Sequence, residues 1–138
     1  MDKYLMIKTR DELLRINIAH ILYFEADRNY TKLLLSEGIQ FTFAVNIGKV
    51  EEMLATQIAD PNTVLIRVGK SHIVNKTHIL QINLPKQKLL LLAGEGKPRE
   101  LIIPKEPLRA LKESLEAEVL ETNKQIAEKE LAEKEIFE

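Results

Sequence analysis

The chain contains no cysteine, so disulfides, thiolate metal sites and cysteine nucleophiles are excluded. Its longest purely apolar run, residues 89–93, is far too short to span a bilayer. The N-terminal segment holds no extended apolar stretch of the secretory type. A cytoplasmic protein without membrane attachment is the expectation. Aromatics are scarce, three Tyr and four Phe, and no stacking pattern of an RNA-binding sheet is visible. Neither sign of charge dominates: the formal net charge is −1 over 138 residues.

That balance conceals an asymmetry. Residues 1–112 carry 17 Lys and Arg against 12 Asp and Glu, a net of +5. Residues 113–138 carry 3 Lys against 9 Glu, a net of −6. A mildly basic body therefore precedes an acidic tail.

The length fits one globular domain. Apolar residues recur mostly with period two or in short runs. Residues 4–9 and 13–18 flank the charged turn Arg10-Asp11-Glu12 and read as a hairpin. Residues 21–26, 30–36 and 39–45 read as further strands. They are separated by Asp27-Arg28-Asn29 and by Glu37-Gly38, where glycine suits a positive φ. The period then changes. Ile47, Val50, Met53, Leu54 and Ile58 fall at helical spacing behind Asn46, a suitable N-cap, and Asp60-Pro61-Asn62 ends the segment. Strand character returns at 64–68, 72–74, 79–84, 88–92 and 99–103. Leu108, Leu111, Leu115 and Val119 mark a second helix starting near Pro107. Its stripe slips around Thr122-Asn123, so no long coiled coil is supported, and the Glu/Lys-rich end is expected as a solvated helix or a frayed tail. The pattern predicts a mainly β protein with one internal helix and one C-terminal helix.

No catalytic constellation emerges. His20, His72 and His78 lack helical metal-pair spacing. Gly94-Glu95-Gly96-Lys97 lacks the serine or threonine and the helix of a phosphate loop, and Pro98 makes it a hairpin turn. Ser36, Ser71 and Ser114 stand on no glycine elbow. An enzyme is not expected, and no cofactor is implied.

Three blocks carry more information. The first is Ile21-Leu22-Tyr23-Phe24-Glu25-Ala26, with Asn29-Tyr30 after it. The second is Arg67-Val68-Gly69-Lys70-Ser71-His72-Ile73-Val74-Asn75. The third is a strand feeding directly into a helix, from Glu100 to Leu115. In this order they resemble the LytTR family of bacterial DNA-binding domains, whose second block usually reads Arg-Val-His-Arg-Ser-Tyr-Leu-Val-Asn. The likeness covers residues 4–115, leaving 116–138 as an acidic, helical tail. It implies an elongated stack of small antiparallel sheets that binds double-stranded DNA through loops, which enter successive major grooves. It also implies a transcription regulator of the response-regulator type. There is no room here for a receiver domain, so control is expected from a separate signalling partner. Paired binding on repeated sites, or a homodimer, fits the family's operators.

Carried over residue by residue, the first loop is Asn29-Tyr30-Thr31-Lys32. Thr31 stands at the base-reading position, where a hydroxyl and a methyl both serve. Lys32 and Arg28 are expected on phosphates, and Tyr30 fits either packing or a DNA contact. In the second loop, Lys70 keeps the charge of the usual arginine without its bidentate fork, and Ser71 suits a phosphate or a helical cap. Gly69 replaces a histidine. Arg67 and Asn75 are expected to order the backbone, and His72 to pack. The third contact is Pro104-Lys105-Glu106-Pro107, where many members have Ser-Arg-Arg. Lys105 keeps one charge, Glu106 reverses another, and Arg109 is placed for a phosphate. The alternative reading is a non-enzymatic protein-interaction module with this fold and weak or lost DNA binding. Glu106, Gly69 and the acidic tail favour it. The nine tail glutamates suggest competition with DNA or a role in dimer contacts.

Overall fold

The computed structural model describes residues 3–61 and 64–137, so Asn62 lies outside the described residues. Among the described residues, ten strands form three antiparallel sheets, accompanied by two α-helices, as the sequence pattern predicts. β1 (Tyr4–Lys8) and β2 (Leu13–Asn17) pair as a hairpin with Leu5 opposite Ile16. β3 (Ile21–Asp27), β4 (Tyr30–Leu35) and β5 (Gln40–Phe43) form a meander. After α1 (Ile47–Gln57), β6 (Leu65–Val68) and β7 (His72–Asn75) return to the same sheet, giving the order β5-β4-β3-β7-β6. β8 (Ile79–Asn83), β9 (Lys88–Leu92) and β10 (Pro98–Ile102) make the third sheet. α2 runs from Lys105 to Phe137. No helix among the described residues is long and apolar enough to cross a membrane.

The five-stranded sheet is the middle layer. Phe24, Leu33, Ile73 and Leu65 pack with α1 and the β1–β2 hairpin through Leu5, Ile7, Val50 and Leu54. Leu22, Tyr23, Leu34, Val68 and Val74 pack with Leu89, Leu91 and Leu101 and with Leu108 and Leu111 of α2. Covering both faces explains why Ile21 to Phe24 is one continuous apolar run. An irregularity between Ile21 and Tyr23 breaks the two-residue alternation. It turns Leu22 and Tyr23 to one face and Ile21 and Phe24 to the other.

α1 forms where expected. The Asn46 side chain accepts from the Lys49 N–H at 2.9 Å, and Ile47, Val50 and Leu54 are buried. Each such apolar side chain contributes about 1.5–3 kcal/mol of transfer free energy. α2 begins two residues earlier than Pro107. Leu108 N–H donates to the Pro104 carbonyl at 3.1 Å, which makes Pro107 the third helical residue. The first four amides of a helix have no intrahelical acceptor, so a proline there forfeits nothing. The helix continues unbroken past residue 115.

Asn75 ties the layers together. It is 0% exposed, and its amide donates to the carbonyls of Ile21 at 2.8 Å and Ile18 at 3.3 Å. Its carbonyl oxygen accepts from the Thr77 amide and hydroxyl at 3.0 and 2.7 Å. His78, just beyond, lies between the carbonyls of Ala19 and Leu92 and so links the third sheet to the segment entering β3.

Leaving buried polar groups unpaired costs about 1–3 kcal/mol each. Asn75→Ala is therefore expected to lower stability by about 2–4 kcal/mol, read as a lower urea midpoint with an unchanged slope. A loss within experimental error would show that water replaces the amide.

Candidate nucleic-acid interface

Antiparallel pairing decides which loops meet. Tyr23, Phe24 and Glu25 of β3 lie opposite Val74, Ile73 and His72 of β7. The C-terminal end of β3 therefore points the same way as the β6–β7 turn. The Ala26 N–H donates to the Ser71 carbonyl at 2.8 Å and locks the two together. The β3–β4 tip, Arg28-Asn29, thus stands beside Gly69-Lys70-Ser71. Arg28 holds a positive φ of 59°, an uncommon conformation for a residue with a Cβ, and all three of Arg28, Asn29 and Tyr30 are exposed.

The N-terminus of α2 joins the same end. Gly69 has φ +63°, and a Cβ there would lie 3.1 Å from Pro107 Cγ. The β6–β7 turn thus presses directly on the first turn of α2, bringing Lys105 to the cluster. The Arg67 side chain holds the turn from below. Its Nε and a terminal nitrogen donate to the carbonyls of Gly69 at 3.1 Å and Lys70 at 2.8 Å, and its other nitrogen pairs with Glu51 at 2.8 Å. Arg67 and Asn75 thus order the backbone, as expected. His72 is buried, with Nε2 donating to Glu25 at 3.0 Å.

Thr31 departs from expectation. It is 0% exposed, and its hydroxyl donates to the Val45 carbonyl at 2.8 Å. The side chain fastens β4 to the segment entering α1, and it has no face left for a groove. The period-two alternation of β4 already turns Thr31 inward with Leu33, opposite to Tyr30 and Lys32.

The charges divide into two sets. Lys32 pairs with Asp27 at 3.7 Å, and Arg109 with Glu106 at 3.1 Å. Arg28, Lys70 and Lys105 are exposed and enter no ion pair among the described residues. Lys105 lies in the first turn of α2, where the helix dipole adds positive potential. Ser71 is exposed and capped by no side chain, its carbonyl being engaged by Ala26.

A mainly β scaffold that gathers exposed basic residues at one end is one class of DNA-binding module. A family model described as "LytTr DNA-binding domain" matches residues 11–116. The chain belongs to that family. Among solved structures, it is similar to the LytTr DNA-binding domain of a Bacillus cereus protein described as a methyl-accepting/DNA response regulator. Identity is 22%, covering 81% of this chain and 95% of that one with a TM-score of 0.57, a likeness of fold. No curated protein matches.

Two substitutions separate scaffold from contact. Thr31→Val removes a buried donor and is expected to lower stability by about 1–2 kcal/mol while leaving any sequence preference unchanged. A changed preference with unchanged stability would return Thr31 to the interface. Gly69→Ala strains a left-handed backbone and crowds Pro107, so a loss of about 1–2 kcal/mol is expected by thermal or urea melting.

Proposed function

We propose that the chain is a DNA-binding transcription regulator that grips duplex DNA with the loop end of its central sheet. The Arg28-Asn29-Tyr30 tip enters one major groove. Lys70 and Ser71, backed by Lys105 on α2, engage a second. Arg109 and Lys32 reach phosphates only after exchanging Glu106 and Asp27 for them. The observation that carries this reading is the meeting of three segments, far apart in sequence, at one end of the sheet. Their exposed cations Arg28, Lys70 and Lys105 have no internal counter-charge among the described residues.

Phosphate contacts release counter-ions, so their number sets the salt dependence. Three contacts give a slope of log affinity against log salt of about −2.7, roughly a 40-fold loss on a fourfold rise in salt. Arg28→Ala, Lys70→Ala and Lys105→Ala are each expected to weaken binding and to flatten that slope by about one unit. Glu106→Gln frees Arg109 and removes a repelled carboxylate, so it is expected to tighten binding severalfold.

A selection from random duplexes followed by salt titration tests all of this. Absence of any duplex binding, or a flat salt response, would favour the protein-interaction reading. The pairing of Glu106 with Arg109 and of Asp27 with Lys32 is the observation behind that second reading, because it neutralises two of the five cations.

A further inference from the structure

A fourth turn stands at the loop end, outside the three sequence blocks that point to DNA. The pairing of the third sheet brings it there. Lys88 at the start of β9 lies opposite Ile102 at the end of β10. One residue further, the Ile103 N–H donates to the Gln87 carbonyl at 2.9 Å. Ile103 leads through Pro104 into Lys105, the first residue of α2. The β8–β9 turn, Leu84-Pro85-Lys86-Gln87, is thereby fastened to the segment that opens α2. The first turn of α2 in turn rests on Gly69. Four segments therefore stand side by side: the Arg28 tip, the Lys70 turn, the start of α2 and the β8–β9 turn.

The turn is held in one shape. Pro85 suits its second position, and the Gln87 N–H donates to the Leu84 carbonyl at 3.0 Å. The Asn83 side chain accepts from the Lys86 N–H at 3.1 Å. Gln87 takes φ +54°, the left-handed position of a three-residue hairpin loop, where glycine is favoured. Arg28 and Gln87 are the non-glycine residues with positive φ among the described residues, and both stand at this end. A side chain kept where glycine would fold more easily points to use of that side chain. Pro85, Lys86 and Gln87 are all exposed. Lys86 enters no ion pair among the described residues, whereas Lys88 nearby is held by Glu100 at 3.1 Å.

We infer that the β8–β9 turn is a further contact to the DNA backbone, with the Lys86 ammonium and the Gln87 amide on phosphate oxygens beside the one that Lys105 engages. This rests on the DNA-binding reading above and extends its footprint to the third sheet. The chemistry suits a phosphate. Lys86 supplies a compact charge with three donors on a flexible stem, and Gln87 a neutral donor next to it. Phosphate contacts position a protein on the duplex and carry no sequence information. The turn therefore adds affinity and fixes register, leaving base preference to the other loops.

Salt titration of the full chain on a duplex selected from random sequences tests the assignment. A fourth phosphate contact steepens the slope of log affinity against log salt to about −3.6. Lys86→Ala is expected to weaken binding roughly fivefold near 0.15 M salt and to return the slope to about −2.7. Lys86→Arg is expected to keep both. Gln87→Gly relieves the left-handed backbone, so the melting temperature is expected to hold or rise while binding falls about threefold. Lys97→Ala removes the same charge from the β9–β10 turn, at the other end of the third sheet, and is expected to change neither affinity nor slope. If the unaltered chain binds and Lys86→Ala is no weaker than Lys97→Ala, the inference is overturned and the DNA-binding reading stands. Full affinity in Gln87→Gly overturns the amide contact. No duplex binding by the unaltered chain overturns both readings.

Discussion

The structure depends on β3 being buried on both faces. A strand with α1 on one side and a second sheet on the other has no solvent-facing row, so its pairing on both edges must be satisfied within the chain. β4 and β7 provide it. The irregularity at Leu22 sets which residues face which layer, and Asn75 fixes the entry of β3 through two carbonyls. With one end of the strand fastened and its register fixed, the position of the other end follows. The hydrogen bond from Ala26 to Ser71 is that consequence, and it is why two turns separated by some forty residues share one surface.

Electrostatics follows the same geometry. α2 starts at the loop end, against Gly69, and runs away from it. The basic turns and the acidic half of α2 therefore sit at opposite poles of the chain. The unbroken α2 carries its glutamates away from these loops. The net charge of −1 thus describes neither pole.

Much of this was legible in the residues. Strand and turn positions follow from period-two patterns bounded by charged or glycine turns, and α1 from its stripe and the Asn46 cap. The LytTR motifs supplied the order of the loops and the roles of Arg67 and Asn75. Three things were not legible, for physical reasons. Alternation shows that Thr31 shares a face with Leu33, but only knowing that this face is the covered one makes it a buried residue. The start of α2 at Lys105 was hidden because a proline is equally tolerated anywhere in the first turn. Ion pairs such as Lys32 with Asp27 depend on side-chain reach across a turn, which spacing alone does not determine.

Two departures from the family pattern lie close together. Gly69 stands where a histidine is usual, and it packs on Pro107, the neighbour of Glu106, which reverses a charge of the usual Ser-Arg-Arg junction. A Cβ at 69 would lie 3.1 Å from Pro107 Cγ, so any larger residue there requires Pro107 to give way by a few tenths of an ångström. The β6–β7 turn meets the first turn of α2 at Gly69 and Pro107, and Lys70 and Lys105 stand on either side of that contact. Fewer contacts with less ordering entropy to lose can retain affinity, because immobilising each long side chain costs about 0.5–1.5 kcal/mol on binding. Packing holds the β6–β7 turn against α2, and Arg28, Lys70 and Lys105 are cations of this end that enter no ion pair among the described residues.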